Sequence, residues 1–370
     1  MKVPFVDLKI QYNSIREEVN SAIAEVLENT DFVGGNRVKR FESDFASMCG
    51  IQNCVSVGNG TDAIYVALKM LGIGPEDEVI TVANTWISTS ESITQTGATP
   101  VFVDVEPDFY TIDVKCVEAA ITEKTKGVIP VHLYGQMANM HELKKITERH
   151  SLFLIEDCAQ AHFSELSGMQ AGRYGDVGAF SFYPGKNLGA YGDGGAVITD
   201  DANLAIGMRK FSNHGGVQKH EHVMEGINSR LDVIQAEVLG VKLKYIRKWT
   251  EQRIANARYY SERLQDIEEL SIPEVRLSSK HTFHLYVIRA KNRDGLLEFL
   301  NTKGVACGLH YPVILPLLPA YDYLCHSSEE FPVAYSYQSQ ILSLPMFPEL
   351  RTDQMDYVVD CIKQFYSVRN

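Results

Sequence analysis

The sequence lacks the features that mark several large classes of protein. Its 370 residues have no excess of positive charge, since 35 lysines and arginines stand against 47 aspartates and glutamates, a formal net charge of -12. A phosphate backbone would be repelled by such a chain, so no nucleic-acid partner is expected. No apolar run is long enough to cross a bilayer, and Asp7 and Lys9 interrupt the stretch where a signal peptide needs apolar residues. We expect neither export nor a membrane.

Cysteine is scarce and scattered. The seven cysteines form no CxxC pair, and none stands with histidine in a spacing typical of a metal site. An odd, dispersed set indicates reduced thiols in a cytoplasmic protein, and we expect no bound metal.

Short β-branched runs alternate with helical patterns in the first half of the chain. Because helices between strands favour parallel pairing with right-handed crossovers, the pattern predicts a doubly wound α/β sheet. The runs at 177–182 and 195–199 have too few residues between them for a crossover helix, so these two are predicted to pair antiparallel. The other predicted strands are 54–57, 78–82, 100–103, 127–131 and 152–155.

Helical spacing of apolar residues predicts further elements outside this pattern. A first helix over 15–27 is expected to end at Gly34-Gly35, and a long helix is expected from 233 to 264. A strand is predicted at 283–288. The composition is consistent with two unequal domains, which we place at 1–240 and 241–370, the second a smaller α+β unit.

Ligands of open α/β sheets bind beyond the carboxyl ends of the strands, so residues that follow strands are candidates for a site. After the strand at 54–57, Gly60 allows close backbone approach and Thr61 opens a helix whose free N–H groups favour a phosphate. Such a turn also caps a helix without any ligand. Trp86 follows the next strand and either stacks on a planar ligand or packs in the core.

The strand at 152–155 leads into Glu156-Asp157 and then Gln160 and His162. Asp157 could hold a protonated ring nitrogen, with Gln160 about one helical turn further on if a helix starts there. Its alternative role is that of a helix N-cap. His162 is either a polar core residue or a ligand contact.

Lys186 follows Pro184-Gly185 in a glycine-rich segment, and Ser181 precedes the turn with a hydroxyl for a phosphate. A lysine among apolar and backbone groups has a lowered pKa and can act as nucleophile or base; the alternative is an ordinary surface lysine. A phosphate turn, a stacking aromatic, an aspartate and a lysine together match the needs of pyridoxal 5'-phosphate.

These motifs resemble the DegT/DnrJ/EryC1/StrS family of nucleotide-sugar aminotransferases, a branch of the fold type I (aspartate aminotransferase) superfamily. The resemblance implies a three-layer αβα large domain with a mostly parallel sheet. The matching segments are Asn59-Gly-Thr-Asp62, Asn84-Thr-Trp86, Glu156-Asp-Cys-Ala-Gln160, Ser181-Phe-Tyr-Pro-Gly-Lys-Asn-Leu-Gly189 and Gly192-Asp-Gly-Gly195.

The resemblance also implies roles for residues in the cofactor site. Lys186 would bind the cofactor covalently, Asp157 would contact the pyridine nitrogen, and Gln160 would lie beside the ring hydroxyl. The phosphate contacts fall on Gly60, Thr61 and Ser181, and the stacking ring on Trp86. Asn228, in Gly226-Ile-Asn-Ser-Arg230, looks like the residue that the partner subunit supplies, which implies a homodimer with shared active sites.

For the substrate, the opening Pro4-Phe-Val-Asp-Leu8 resembles the branch that aminates C3 of a dTDP-linked 3-keto-6-deoxyhexose for glycan biosynthesis, such as a lipopolysaccharide or S-layer glycan. The resemblance makes L-glutamate the amino donor and pyridoxamine 5'-phosphate the form of the cofactor between the two half-reactions. It makes Tyr183, Lys219, His310 and Tyr311 candidates for sugar binding, although His310-Tyr-Pro312 could equally be a structural turn. The alternatives are amination at C4 of a UDP- or dTDP-4-keto sugar, and a regulatory or binding protein without catalysis.

Overall fold

The computed structural model describes residues 1–218 and 220–367, and its largest sheet has seven strands in the order β1-β9-β8-β5-β4-β2-β3. The strands are β1 (Asn53–Val57), β2 (Glu78–Val82), β3 (Thr99–Val103), β4 (Thr125–Ile129), β5 (Phe153–Asp157), β6 (Glu165–Leu166), β7 (Met169–Gln170), β8 (Val177–Ser181), β9 (Gly195–Thr199), β10 (Leu270–Ser271), β11 (Ser279–Lys280), β12 (Tyr286–Ala290) and β13 (Ile341–Leu344).

The pairing within this sheet confirms the predicted topology. β3, β2, β4, β5 and β8 pair parallel in that order, whereas β8 with β9 and β1 with β9 pair antiparallel. Helices pack on both faces, which is why the strands are nearly continuous apolar runs. The helices are α1 (Leu8–Asn29), α2 (Gly35–Cys49), α3 (Gly60–Met70), α4 (Ser88–Gln95), α5 (Val114–Ala119), α6 (Met140–His150), α7 (Ala202–Phe211), α8 (Val233–Leu243), α9 (Ile246–Leu264), α10 (Arg293–Thr302), α11 (Pro332–Tyr337) and α12 (Thr352–Ser367).

The first helix is longer than its apolar pattern predicts. α1 begins at Leu8 because the carboxylate of Asp7 accepts hydrogen bonds from the N–H groups of Lys9 and Ile10, both at 3.1 Å. The expectation that Gly34-Gly35 ends this helix is wrong. Thr30 ends it in a left-handed conformation, and Gly34 is the residue before α2.

Two other predicted elements differ from the structure. The helix expected over 233–264 is two helices, α8 and α9, and at the break Lys244 and Tyr245 both hydrogen-bond Glu18 of α1. The strand expected at 283–288 begins only at Tyr286, because Phe283 has a φ of +44°, which no extended strand allows.

A small sheet with its own apolar cluster is formed by the part of the chain that follows α8. The small sheet β10-β12-β13 packs with α10, α12 and the C-terminal half of α9 around its own apolar cluster, which also takes in Val3 from the chain start. The N-terminal half of α9 packs instead in the main core through Ile246 and Trp249. The placement of a domain boundary at residue 240 stays a prediction. Among the described residues, no helix combines the length and apolar character that crossing a bilayer requires.

Candidate functional site

A cavity of about 550 Å³ opens at the carboxyl ends of the parallel strands. The structure brings ten of the twelve predicted site residues into its lining. Eight of them lie at the carboxyl ends of strands of the large sheet, which meet at one edge, and His310 and Tyr311 come from the segment between α10 and β13. Asn228 is exposed and lies outside this lining, and Lys219 falls outside the described residues. The ten are Gly60, Thr61, Trp86, Asp157, Gln160, Ser181, Tyr183, Lys186, His310 and Tyr311.

Lys186 lies in a tight turn just after β8. Its N–H donates to the carbonyl of Tyr183 at 2.8 Å, and the buried Lys242 ammonium donates to the carbonyl of Gly189 at 2.6 Å, which holds the end of the turn. Burial lowers the pKa of Lys186 to about 8, against a smaller opposing effect of the Asp157 carboxylate. The uncharged, nucleophilic fraction of this amine is therefore larger near neutral pH than that of an ordinary lysine.

Asp157, at the end of β5, is buried and held by two donors. Thr89 donates its hydroxyl to Oδ2 at 2.7 Å, and the Ala159 N–H donates to Oδ1 at 3.0 Å. No helix begins here, since residues 158–164 form turns, so the N-cap alternative is wrong. The two donors fix the orientation of the carboxylate, which lines the cavity.

Gln160 reaches the cavity through this turn. The helical turn that would also have placed it there, had a helix started at Asp157, is not formed. Its Oε1 accepts from the N–H of Tyr134 at 2.7 Å, and its Nε2 donates to the Tyr311 hydroxyl at 3.2 Å. Tyr134 in turn donates to the carbonyl of His310. The amide of Gln160 is thus oriented by residues from two separate segments of the chain.

The N-terminus of α3 forms one wall of the cavity. Asn59 caps the helix through a 2.8 Å bond from the N–H of Asp62, and Thr61 shares a 2.7 Å hydrogen bond with Ser88, a lining residue that the sequence did not indicate. A Cβ on Gly60 would lie 2.6 Å from the Cβ of Ser181, so only glycine fits there. The two hydroxyls and the free N–H groups suit a phosphate.

Two aromatic side chains lie at the mouth of the cavity. Trp86 is 58% exposed and Tyr183 is 59% exposed, so the core-packing alternative for Trp86 is wrong. The ring of Trp86 lies 5.8 Å from that of Tyr311, with 42° between the planes. An exposed indole at the rim is available to stack on a planar ligand.

The histidines near the cavity are neutral. His162 is fully buried between Phe180 and Phe182, and burial lowers its pKa to about 3, so the core interpretation is the one that the structure supports. His310 lines the cavity, hydrogen-bonds the Ser343 hydroxyl at 2.8 Å, and has a pKa lowered by burial to about 4.

His284 and Arg253 also line the cavity, and the sequence did not indicate either of them. His284 lies in a segment that was predicted to be strand. Its Nδ1 is 3.2 Å from the side-chain oxygen of Asn187, next to Lys186. Arg253 had a detectable signal, since it occupies the buried stripe of α9 between Trp249 and Ala257, where a charge is rare.

A buried cluster of His132, Glu156 and Cys158 has the composition of a metal site, although the sequence spacing indicated none. Its hydrogen bonds indicate a structural role. Glu156 accepts from the N–H groups of Gly172, Tyr174 and Gly175, and from His132 Nε2 at 2.7 Å. The Ala138 N–H donates to His132 Nδ1, so Nε2 carries the proton and has no lone pair for a metal.

The model of the DegT/DnrJ/EryC1/StrS aminotransferase family matches residues 13–363. A Geobacillus stearothermophilus protein named "Pleiotropic regulatory protein" is 44% identical over 368 residues, 99% of each sequence. The dTDP-3-amino-3,4,6-trideoxy-alpha-D-glucose transaminase of Streptomyces venezuelae is 41% identical over 364 residues, 98% of this chain and 96% of that protein. The crystal structure of S. venezuelae DesV in complex with a ketimine intermediate has a TM-score of 0.97 at 41% identity and covers 98% of each chain.

Proposed function

The chain belongs to the DegT/DnrJ/EryC1/StrS aminotransferase family, and on that premise we propose that it moves the amino group of L-glutamate to C3 of a dTDP-linked 3-keto-6-deoxyhexose. The product is a dTDP-3-amino-3,6-dideoxyhexose for glycan assembly. One observation carries the proposal: Lys186, with its pKa lowered to about 8, shares a cavity with the buried carboxylate of Asp157. Amino transfer requires a base that moves a proton and an anion that stabilises the positively charged ring nitrogen of the same cofactor.

The lining fits pyridoxal 5'-phosphate, which we propose as the cofactor. Lys186 would bind its aldehyde, Asp157 its ring nitrogen and Gln160 its ring hydroxyl. The close packing of Gly60 on Ser181, with the Thr61 hydroxyl beside them, leaves backbone N–H groups and hydroxyls for the phosphate. When bound, this cofactor withdraws electrons from the carbon that loses a proton.

The chain's own groups then carry the proton. The freed amine of Lys186 takes the proton from Cα of glutamate in the first half-reaction and delivers a proton to C3 of the sugar in the second. Asp157 would keep the ring nitrogen positive in both, and the hydrogen bonds from Thr89 and Ala159 hold its carboxylate in place. 2-Oxoglutarate leaves after the first half-reaction.

A second copy of the chain completes the site in this proposal. Asn228 is exposed, and the neighbouring Ser229 is buried beneath the α3 turn, where its hydroxyl donates to Asp62 at 2.6 Å. The hydrogen bond holds residues 228–229 against the N-terminus of α3, while Asn228 itself is exposed. We propose that Asn228 reaches the phosphate of the partner subunit's site in a homodimer.

The proposal of a sugar substrate is supported by the relatives and by the residues at the cavity rim. The S. venezuelae relative is named for a dTDP-3-amino sugar. Tyr183, His310 and Tyr311 line the cavity and could contact a sugar, and Lys219 is kept as a fourth candidate from the sequence.

A panel of keto sugars tests the proposal. Purified protein is incubated with glutamate and with dTDP-3-keto, dTDP-4-keto and UDP-4-keto sugars, and the products are identified by mass and NMR. The proposal expects amination of the dTDP-3-keto sugar; amination only at C4 would contradict the position, and a UDP preference would contradict the nucleotide.

The relative named as a regulatory protein favours one further candidate, a regulatory or binding role without catalysis. A non-catalytic role needs no reactive amine, so under this alternative the Lys186→Ala protein should function like wild type. The enzymatic proposal expects Lys186→Ala to lose both amino transfer and the visible absorbance of bound cofactor, while Lys144→Ala, at an exposed lysine, keeps both.

A further inference from the structure

The amino donor brings carboxylates into a cavity that already contains negative charge. Asp157 and Asp193 line it, and burying further carboxylates without a cation is costly. Among the described lining residues, the titratable cationic or potentially cationic groups are Lys186, Arg253, His284 and His310. A cation for the donor must come from this set.

The two histidines contribute no positive charge at neutral pH. Burial lowers the pKa of His310 to about 4 and that of His284 well below its ordinary value, with Lys186 and Arg253 adding to the effect on His284. Lys186 is committed to the cofactor and to proton transfer in the proposed function. Burial lowers the pKa of Arg253 to about 10, so Arg253 remains the described lining residue that can offer the donor a positive charge at neutral pH.

Arg253 is rigidly held and still has donors to spare. Its Nη1 donates to the carbonyls of Phe283, His284 and Met346 at 3.2, 3.3 and 3.0 Å. Within the described residues, the hydrogen bonds of Arg253 all start from Nη1, and neither carboxylate oxygen of the nearby Glu349 has a partner. The Nε–H and Nη2–H groups are therefore free for an acceptor in the cavity.

Resting on the proposed function, we infer that Arg253 binds a carboxylate of the amino donor. A fixed guanidinium suits a carboxylate because it donates two parallel hydrogen bonds in a planar arrangement. Arg253 lines the cavity together with His284, Leu285 and Met346, so a carboxylate bound to it would lie against that part of the wall. The nucleotide diphosphate, the other anion in the reaction, would bind without Arg253.

Binding of glutarate tests this inference without depending on activity. Calorimetric titration of the cofactor-loaded protein compares wild type with Arg253→Lys and Arg253→Met. The matched control is Arg258→Lys, on the same helix, whose side chain is 80% exposed and pairs with Glu262 at 2.9 Å. We expect glutarate affinity to fall about 10-fold or more in both Arg253 variants, the loss typical of a hydrogen bond to a charged group, and to stay unchanged in the control. Affinity for dTDP should not change.

Three results would overturn the inference. The first is an unchanged glutarate affinity in the Arg253 variants. The second is an equal loss of glutarate and dTDP binding, which would show that Arg253 only holds the backbone carbonyls in place. The third is a selective loss of dTDP binding. If the variants are too unstable to titrate, a crystal structure of wild type with glutarate decides, since a carboxylate away from Nε and Nη2 of Arg253 contradicts the inference. Failure of glutamate to bleach the visible absorbance of wild type would instead refute the proposed donor.

Discussion

Gly60 at the start of α3 and Ser181 at the end of β8 are in direct contact, and the space between them leaves no room for a Cβ. A methyl group on Gly60 would lie 2.6 Å from the Cβ of Ser181 and 3.1 Å from its Oγ. This contact joins the helix N-terminus to the segment that carries Lys186, so two cofactor contacts depend on one close approach of backbone.

Replacement of this glycine should weaken cofactor binding and stability together. We expect Gly60→Ala to cost about 1–3 kcal/mol of unfolding free energy, as overpacking does, because Ser181 or the helix must shift. Gly74→Ala is the matched control, since a Cβ there meets nothing within 4 Å. Thermal unfolding and titration with pyridoxal 5'-phosphate measure both effects. Equal behaviour of the two variants would contradict the importance of the contact.

The pKa of Lys186 sets a pH dependence for cofactor capture. Burial lowers this pKa from 10.5 to about 8, so the reactive neutral amine is lost as pH falls below about 8. The rate at which apoprotein binds the cofactor aldehyde, followed by absorbance, should therefore rise with pH, with a midpoint near 8, and level off above it. A midpoint near 10.5 would contradict the effect of burial.

Asp157 should shift that midpoint in a known direction. Its carboxylate raises the pKa of Lys186 against the larger effect of burial. Removing the negative charge in Asp157→Asn destabilises the ammonium, so the midpoint for cofactor capture should move to lower pH. A shift to higher pH in this variant would show that the two groups do not interact as the structure indicates.

Asp157 should also matter in both halves of the reaction. We expect Asp157→Asn to slow glutamate-driven bleaching and sugar amination each by about 100-fold or more, the range of a single preorganised electrostatic contact. Asp360→Asn, at an exposed position on α12, is the control. Rapid-mixing absorbance measurements separate the halves, and a loss confined to one of them would be inconsistent with the role of Asp157.

A mixed dimer tests whether Asn228 acts across subunits. Lys186→Ala and Asn228→Ala proteins are each expected to be inactive or weakly active alone. In a hybrid, one site combines both changes and the other has neither, so mixing after partial unfolding should restore activity. No recovery in hybrids confirmed by mass spectrometry would place Asn228 in its own subunit's site or outside any site.

The order of strands and helices and most of the cofactor-side lining of the cavity could be predicted from the sequence. Alternating patterns of period two and 3.6 identify the elements, and the rule that parallel strands end at one edge brings Gly60, Trp86, Asp157 and Lys186 together. The antiparallel return of β9 also followed, because the distance between the two runs is too short for a crossover. These constraints are local or topological, so they can be inferred from the order of residues along the chain.

The contacts between residues far apart in sequence could not be predicted from local patterns. Arg253 and His284 enter the cavity because α9 and the segment before β12 pack on the lysine turn, and no local pattern encodes that packing. The orientation of Gln160 comes from its hydrogen bonds with Tyr134 and Tyr311, which lie far from it in sequence. The pKa of Lys186 belongs to this level as well, because burial is a property of the folded surroundings and not of the lysine or its neighbours in sequence.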